Sequence, residues 1–230
     1  MFTVTINSEN RKSSYEQFER EFFKICNEHR ENNRALVFAF ILYDFENEHI
    51  GKILEDPHYW LSLNSISGEY LTVFSLHYKA EDMKSKLMDI MKQRMNQGTQ
   101  KEFNMIPTDQ NPSQDTNKLI QKYFGKDFKI KYPSVLFFQV KENAVSDSRL
   151  IQLDQEGIEA SFLELKQYIK IAAEALQEVN REYKHNVDEL FSLVDQSVSG
   201  LRQKIQIKKG IKTVTSLAEL AATVTGLNPS

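Results

Sequence analysis

The stretch that most limits what this chain can become is Ala35 to Tyr43, ALVFAFILY, which carries no charged residue and no alternation of polar with apolar positions. A strand with one wet face would alternate; a run apolar on both faces suits a central strand covered by helices on two sides. Its neighbours in sequence agree. Phe2 to Ile6, FTVTI, alternates as a short strand with one buried face, and from Ser13 the spacing of Tyr15, Phe18, Phe22, Ile25, Cys26 and His29 predicts a helix. Ser13 and Glu16 stand three apart, as a capping box requires. After the central run, Ile50, Ile53, Leu54, Trp60, Leu61 and Leu63 keep a helical rhythm that Asp56-Pro57 interrupts, and EYLTVFSLHY, 69–78, is rich enough in β-branched and aromatic residues to be a third strand. Strand and helix in alternation predict an α/β fold with helices on both faces of the sheet.

Residues 80–113 break the pattern. A helical stretch carrying Met83, Leu87, Ile90, Met91 and Met95 leads into a polar loop, and five of the six methionines lie between Met83 and Met105. Such a cluster either fills irregular gaps at a domain edge or lines a groove for an apolar partner. Leu119, Ile120, Tyr123 and Phe124 then mark a helix ending at Gly125, a natural C-cap residue.

The following segment, KYPSVLFFQV, Lys131 to Val140, sets a proline directly against a buried-strand pattern. Proline donates nothing to a ladder, so it must open the strand or lie on an edge. A polar turn, KENAVSDS, a short strand, RLIQLD, able to pair antiparallel with the one before it, and a last helix near Glu159 complete the unit. Strand, helix, strand, helix, strand, helix, proline-led strand, antiparallel strand, helix resembles the thioredoxin fold over residues 1–182. YPSVLFF is similar to the segment where that superfamily places a cis-proline beside its site, and the chain from Ala35 to Asn64 is similar to the strand, loop and helix that carry Cys-X-X-Cys. The resemblance implies a central mixed sheet flanked by helices, with 80–113 as an insertion. It also implies a peptide-facing surface at Asp44, Phe45, His49, Tyr132 and Pro133. The departure is chemical: 43–52 reads YDFENEHIGK, without cysteine. Thiol–disulfide exchange needs an attacking thiolate and a second sulfur, so thiol–disulfide oxidoreductase activity is excluded.

The single cysteine, Cys26, falls on the apolar stripe of its predicted helix and reads as a buried small hydrophobe rather than a reactive thiol. One thiol allows no disulfide framework, which favours a cytoplasmic setting, and no stretch has the length of apolar residues a membrane-spanning helix needs. A net charge of −3 gives no general case for nucleic acid, and with 8 glycines and no phosphate-loop sequence a nucleotide cofactor is not expected. His49, His58 and the acids around them form no tight metal-ligand pair, so no metal and no other cofactor is expected. If the chain were an enzyme of non-thiol chemistry, His49 and Asp44 would be its acid–base candidates.

Residues 183–230 predict a helical extension. Apolar residues recur at steps of three and four from Phe162 to Tyr183, then continue as Val187, Phe191, Val194, Val198, Leu201 and Ile205. Such a stripe serves self-association, docking of a protein partner, or folding back on its own domain. The basic residues Arg202, Lys204, Lys208, Lys209 and Lys212, ahead of the nearly uncharged TVTSLAELAATVTGL, leave an anionic membrane surface as an alternative partner. The reading that follows is a redox-inactive thioredoxin-like interaction module with an assembling or docking helical tail.

Overall fold

The computed structural model describes residues 2–7, 14–32, 36–43, 59, 62, 63, 66, 70–77, 103–107, 112–125, 130–155, 157–179 and 187–225, with backbone alone for 2–7, 76–77, 103–107, 112–113, 187 and 211–225. These residues form an α/β structure around a six-stranded mixed sheet. Its strands are β1 (Phe2–Asn7), β2 (Val37–Leu42), β3 (Leu71–His77), β4 (Phe103–Pro107), β5 (Ser134–Lys141) and β6 (Ala144–Gln152). Across the sheet the order is β4-β1-β3-β2-β5-β6. β4, β1, β3 and β2 run parallel, whereas β5 is antiparallel to β2 and to β6.

The two-faced strand predicted from ALVFAFILY lies inside the sheet, between β3 and β5, and all six of its residues are buried. Alternation sends Phe38, Phe40 and Leu42 to one face and Val37, Ala39 and Ile41 to the other. The first face meets α1 (Tyr15–Glu31) and α2 (Pro112–Phe124). The second meets α3 (Ile158–Gln177) and α4 (Val187–Thr225), together with Tyr59 and Leu63. Tyr59, Ser62, Leu63 and Ile66, the described residues between Tyr43 and Tyr70, are all helical.

On the α1 side the core is aromatic. Phe22 stacks on Phe40 at 5.6 Å between ring centroids and on Phe138 at 5.9 Å, and it tilts against Phe74 at 5.0 Å. Polar bonds fix the same helix at its far end. The His29 ring nitrogen Nδ1 lies 2.7 Å from the Thr72 hydroxyl inside the protein, and Arg30 Nη1 donates to the Val140 carbonyl at 2.8 Å.

Several boundaries differ from those the sequence suggested. The α1 cap is Ser14, whose hydroxyl accepts from the Gln17 amide at 3.3 Å, so the cap sits one residue later than the Ser13–Glu16 box. Residues 103–107, expected to be loop, form the edge strand β4 on β1; FNMIP is short, and Pro107 at its end is tolerated because the strand has a free side. The polar turn expected over 141–148 contracts to Glu142 and Asn143, both at positive φ (47° and 62°), as a two-residue type I′ hairpin turn requires. β6 therefore begins at Ala144. Its early residues escaped a pattern-based reading because β6 is an edge strand, largely exposed on both faces, with an irregular register beside Val140. Gly125 does end α2, at φ 113°.

Truncating Phe22 leaves a void against at least three rings. Phe22→Ala is expected to lower unfolding free energy by about 3–5 kcal/mol, read as a fall in the urea midpoint at unchanged slope. A loss below about 1 kcal/mol would contradict a rigid aromatic core on this face.

Candidate functional site

The sheet end where β2 stops gathers the buried Ser134, Ser161 and Glu164 with the buried tyrosines Tyr43 and Tyr59. Tyr43 follows β2, and Leu42 pairs with Ser134, which places the Tyr132–Pro133 turn beside it. The Tyr132–Pro133 peptide is cis, and both residues are half-buried. The Pro133 carbonyl accepts from the Leu153 amide at 2.9 Å and the Tyr132 carbonyl from Gln155 Nε2 at 3.2 Å, so the turn is tied to the strand leaving the hairpin. The Ser134 hydroxyl donates to the Lys131 carbonyl and closes the turn from the other side.

Behind this turn the first turns of α3 bring Ser161, Phe162 and Glu164 under Tyr43. The Tyr43 and Phe162 rings stack at 5.0 Å and Tyr59 meets Phe162 edge-on at 4.5 Å. The Tyr43 hydroxyl is buried against those of Tyr59 and Ser161, and the Tyr168 hydroxyl against the Glu164 carboxylate; neither Tyr43 nor Tyr168 makes a hydrogen bond of full geometry. Burial pushes all three phenols up, well above the ordinary tyrosine range. They are neutral at any physiological pH.

Glu164 accepts the Asp154 amide at 2.6 Å, and Lys209 of α4 reaches over to Asp154 Oδ2 at 2.7 Å and Glu164 Oε2 at 3.8 Å. Two carboxylates and one ammonium thus close the end of the core. The arrangement works as a latch, because both carboxylates are committed to an amide or an ammonium.

Of the residues picked from sequence, Tyr132 and Pro133 lie at this sheet end. Asp44, Phe45 and His49, as well as His58 and the methionines from Met83 to Met95, lie outside the described residues. Phe191, Val194 and Val198 belong to the same core cluster as β2 and α3, and Leu201 and Ile205 pack partly buried against it; only the backbone of Val187 is described. That part of the stripe is covered by the chain's own α3 and sheet rather than left for another molecule. Arg202, Lys204 and Lys208 are exposed, whereas Lys209 is engaged by Asp154; Lys212 lies on α4 with its side chain outside the description. Sequence reasoning missed Tyr43, Ser161 and Glu164, and it picked Lys209 for an anionic membrane surface rather than for Asp154 and Glu164. A signal existed for two of them: Ser161 and Glu164 are polar residues at helical spacing on the apolar face of α3.

Among the described residues no group of three or more His, Cys, Asp or Glu is placed to hold a metal, and no helix is long and apolar enough to cross a membrane. Cys26 is fully buried, and burial pushes its thiol up. Comparison with protein-family models, with curated proteins and with solved structures returns no match.

Two measurements check this geometry. The Cys26 thiol, protonated and out of contact with solvent, is expected to react with a disulfide reagent at least about a thousandfold more slowly in the native protein than after unfolding. Because its folded pKa is raised, its contribution to stability is full below about pH 8.5 and declines as pH rises beyond, the unfolded thiol ionising first. Cys26→Ala should flatten that decline; fast native labelling would refute the burial. Lys209→Met removes the counter-charge of Asp154 and Glu164 and is expected to cost about 1 kcal/mol at low salt and less at high salt, the pair being half-exposed on the lysine side. A loss independent of salt would mean that packing, not charge, holds the end of α4.

Proposed function

We propose that this chain is a redox-inactive, thioredoxin-like protein-interaction module, whose long last helix serves self-association or docking. The observation that carries the reading is the order of elements. Leaving aside β4, which comes from the insertion, the chain runs β1, α1, β2, helical residues, β3, α2, the proline-led β5, the antiparallel β6 and α3. This is the order that the resemblance implies, with the helices divided between the two faces of a mixed sheet. The site position after β2 offers no sulfur, and the one thiol is buried on α1. What remains at the sheet end is a shaped surface, Tyr132-Pro133 beside the chain leaving β2, suited to recognising an extended peptide by contact rather than by chemistry. A reducing, cytoplasmic setting fits a chain with one cysteine.

Selection of displayed peptides on the full chain tests the reading. Extended binders whose affinity falls by about tenfold or more in Tyr132→Ala are expected, alongside no acceleration of insulin reduction by dithiothreitol. Binders indifferent to Tyr132 would move the interaction surface elsewhere, and accelerated reduction would overturn the redox-inactive assignment.

A further inference from the structure

The inner stripe of α4 is spent on the core, yet its outer face carries a second apolar series. Leu193 and Ile207, 42% and 62% exposed, are two of the three large apolar side chains exposed among the described residues. They stand seven residues on either side of Gly200, so all three share one face of the helix, turned away from Val194 and Val198. A β-carbon added at Gly200 would meet nothing within 4 Å, so packing inside the chain does not require glycine there. Glycine in the interior of a helix is otherwise disfavoured relative to alanine. It is useful where another backbone must come close.

The two ends of this face differ and are complementary. Around Leu193 an open groove of about 590 Å³ runs between α3 and α4, floored by Ala175, Val179 and Leu193 and rimmed by the acids Glu178 and Glu189. At the other end Ile207 projects from the helix, and Lys204 and Lys208 lie next to it, both exposed. An antiparallel partner helix crossing at Gly200 would bring position 207 of one copy onto position 193 of the other, on both sides of a twofold axis. Each projecting Ile207 then enters an apolar groove, and each Lys208 comes to lie within a turn of the other copy's Glu189.

We propose that the occupant of this groove is a second copy of the same chain, with α4 packed antiparallel on α4 about a twofold axis at Gly200. Such an interface is isologous: the patch is its own complement, so the assembly closes at two copies. The antiparallel sense follows from charge. A parallel pair would set Glu189 against Glu189 and Lys208 against Lys208, whereas the antiparallel pair sets Ser192 and Glu189 beside Lys208. The inference rests on the self-association branch of the proposed function and would stand or fall separately from the peptide surface at Tyr132-Pro133.

Sedimentation equilibrium on the full chain, with cysteine variants cross-linked under mild oxidation, tests it; Cys26 is buried and does not compete. The wild type is expected to be a dimer at micromolar concentration, with a melting temperature that rises with concentration, and Ile207→Glu a folded monomer whose melting temperature does not depend on concentration. Gly200→Cys should link to its own copy across the axis. Leu193→Cys and Ile207→Cys should fail to link alone and link when mixed, which a parallel pair would reverse. A wild-type monomer at every concentration overturns the dimer and the self-association branch together, and flotation of that monomer with vesicles containing anionic lipid would assign the face to a membrane surface instead. A dimer indifferent to Ile207→Glu, with Gly200→Cys unlinked, overturns this geometry while leaving self-association in place.

Discussion

The two-faced burial of β2 is the constraint on which the rest of the structure depends. A strand hydrogen-bonded on both edges and apolar on both faces is stable only when both faces are covered. The faces are covered differently because their side chains differ. Phe38 and Phe40, with Phe74 and Phe138 from the neighbouring strands, build a thick aromatic layer that α1 completes with Phe22. The opposite face offers Val37, Ala39, Val73 and Val135 around a single phenylalanine, Phe137, and over it the longer α3 and the first half of α4 supply further bulk through Phe162, Leu165, Tyr168 and Phe191. One wall built mainly of rings and one mainly of smaller groups let each layer fill to interior density.

How far this was legible in the sequence depended on where each signal came from. The central strand, the apolar faces of α1, α2 and α3 and the stop at Gly125 are local patterns, and they survive into the fold because propensity and burial agree there. The early part of β6 and all of β4 are edge segments whose pairing comes from a neighbour distant in sequence, so their own residues carry little of the pattern. The latch at the sheet end was the least visible. Tyr43, Asp154, Glu164 and Lys209 come from a strand end, a loop and two helices, and nothing in the spacing of 154, 164 and 209 announces that a carboxylate pair and an ammonium will meet.

Helix α4 shows why an amphipathic pattern fixes a helix but not its partner. Its stripe from Phe191 to Ile205 reads equally well as a coiled-coil seam or as a core face. Charge decides between them. Lys141 pairs with Asp188, Arg149 with both oxygens of Asp195, and Lys209 with Asp154, so two acids of the helix meet two cations of the hairpin and one lysine further along meets an acid beyond it. Each pair is weak at a surface, and Asp195 holds the Arg149 guanidinium charged beyond its already high range. Together they fix the register of a long helix that the apolar stripe alone would let slide by a turn.

A helix pinned in this way has no rotational freedom left, and its outer face is therefore set by its inner one. With Phe191, Val194 and Val198 directed into the core, Leu193, Gly200 and Ile207 must point outward, whatever they meet. The same geometry separates the outer face from the Tyr132-Pro133 turn, which sits at the sheet end that Lys209 closes. Recognition at the sheet end and association along α4 can then operate together. Among the described residues the two surfaces approach one another at the latch, where Lys209 lies two residues beyond Ile207. Loosening that ion pair would disturb both surfaces at once, so the contact of Asp154 and Glu164 with Lys209 is where the two proposed roles would be physically coupled.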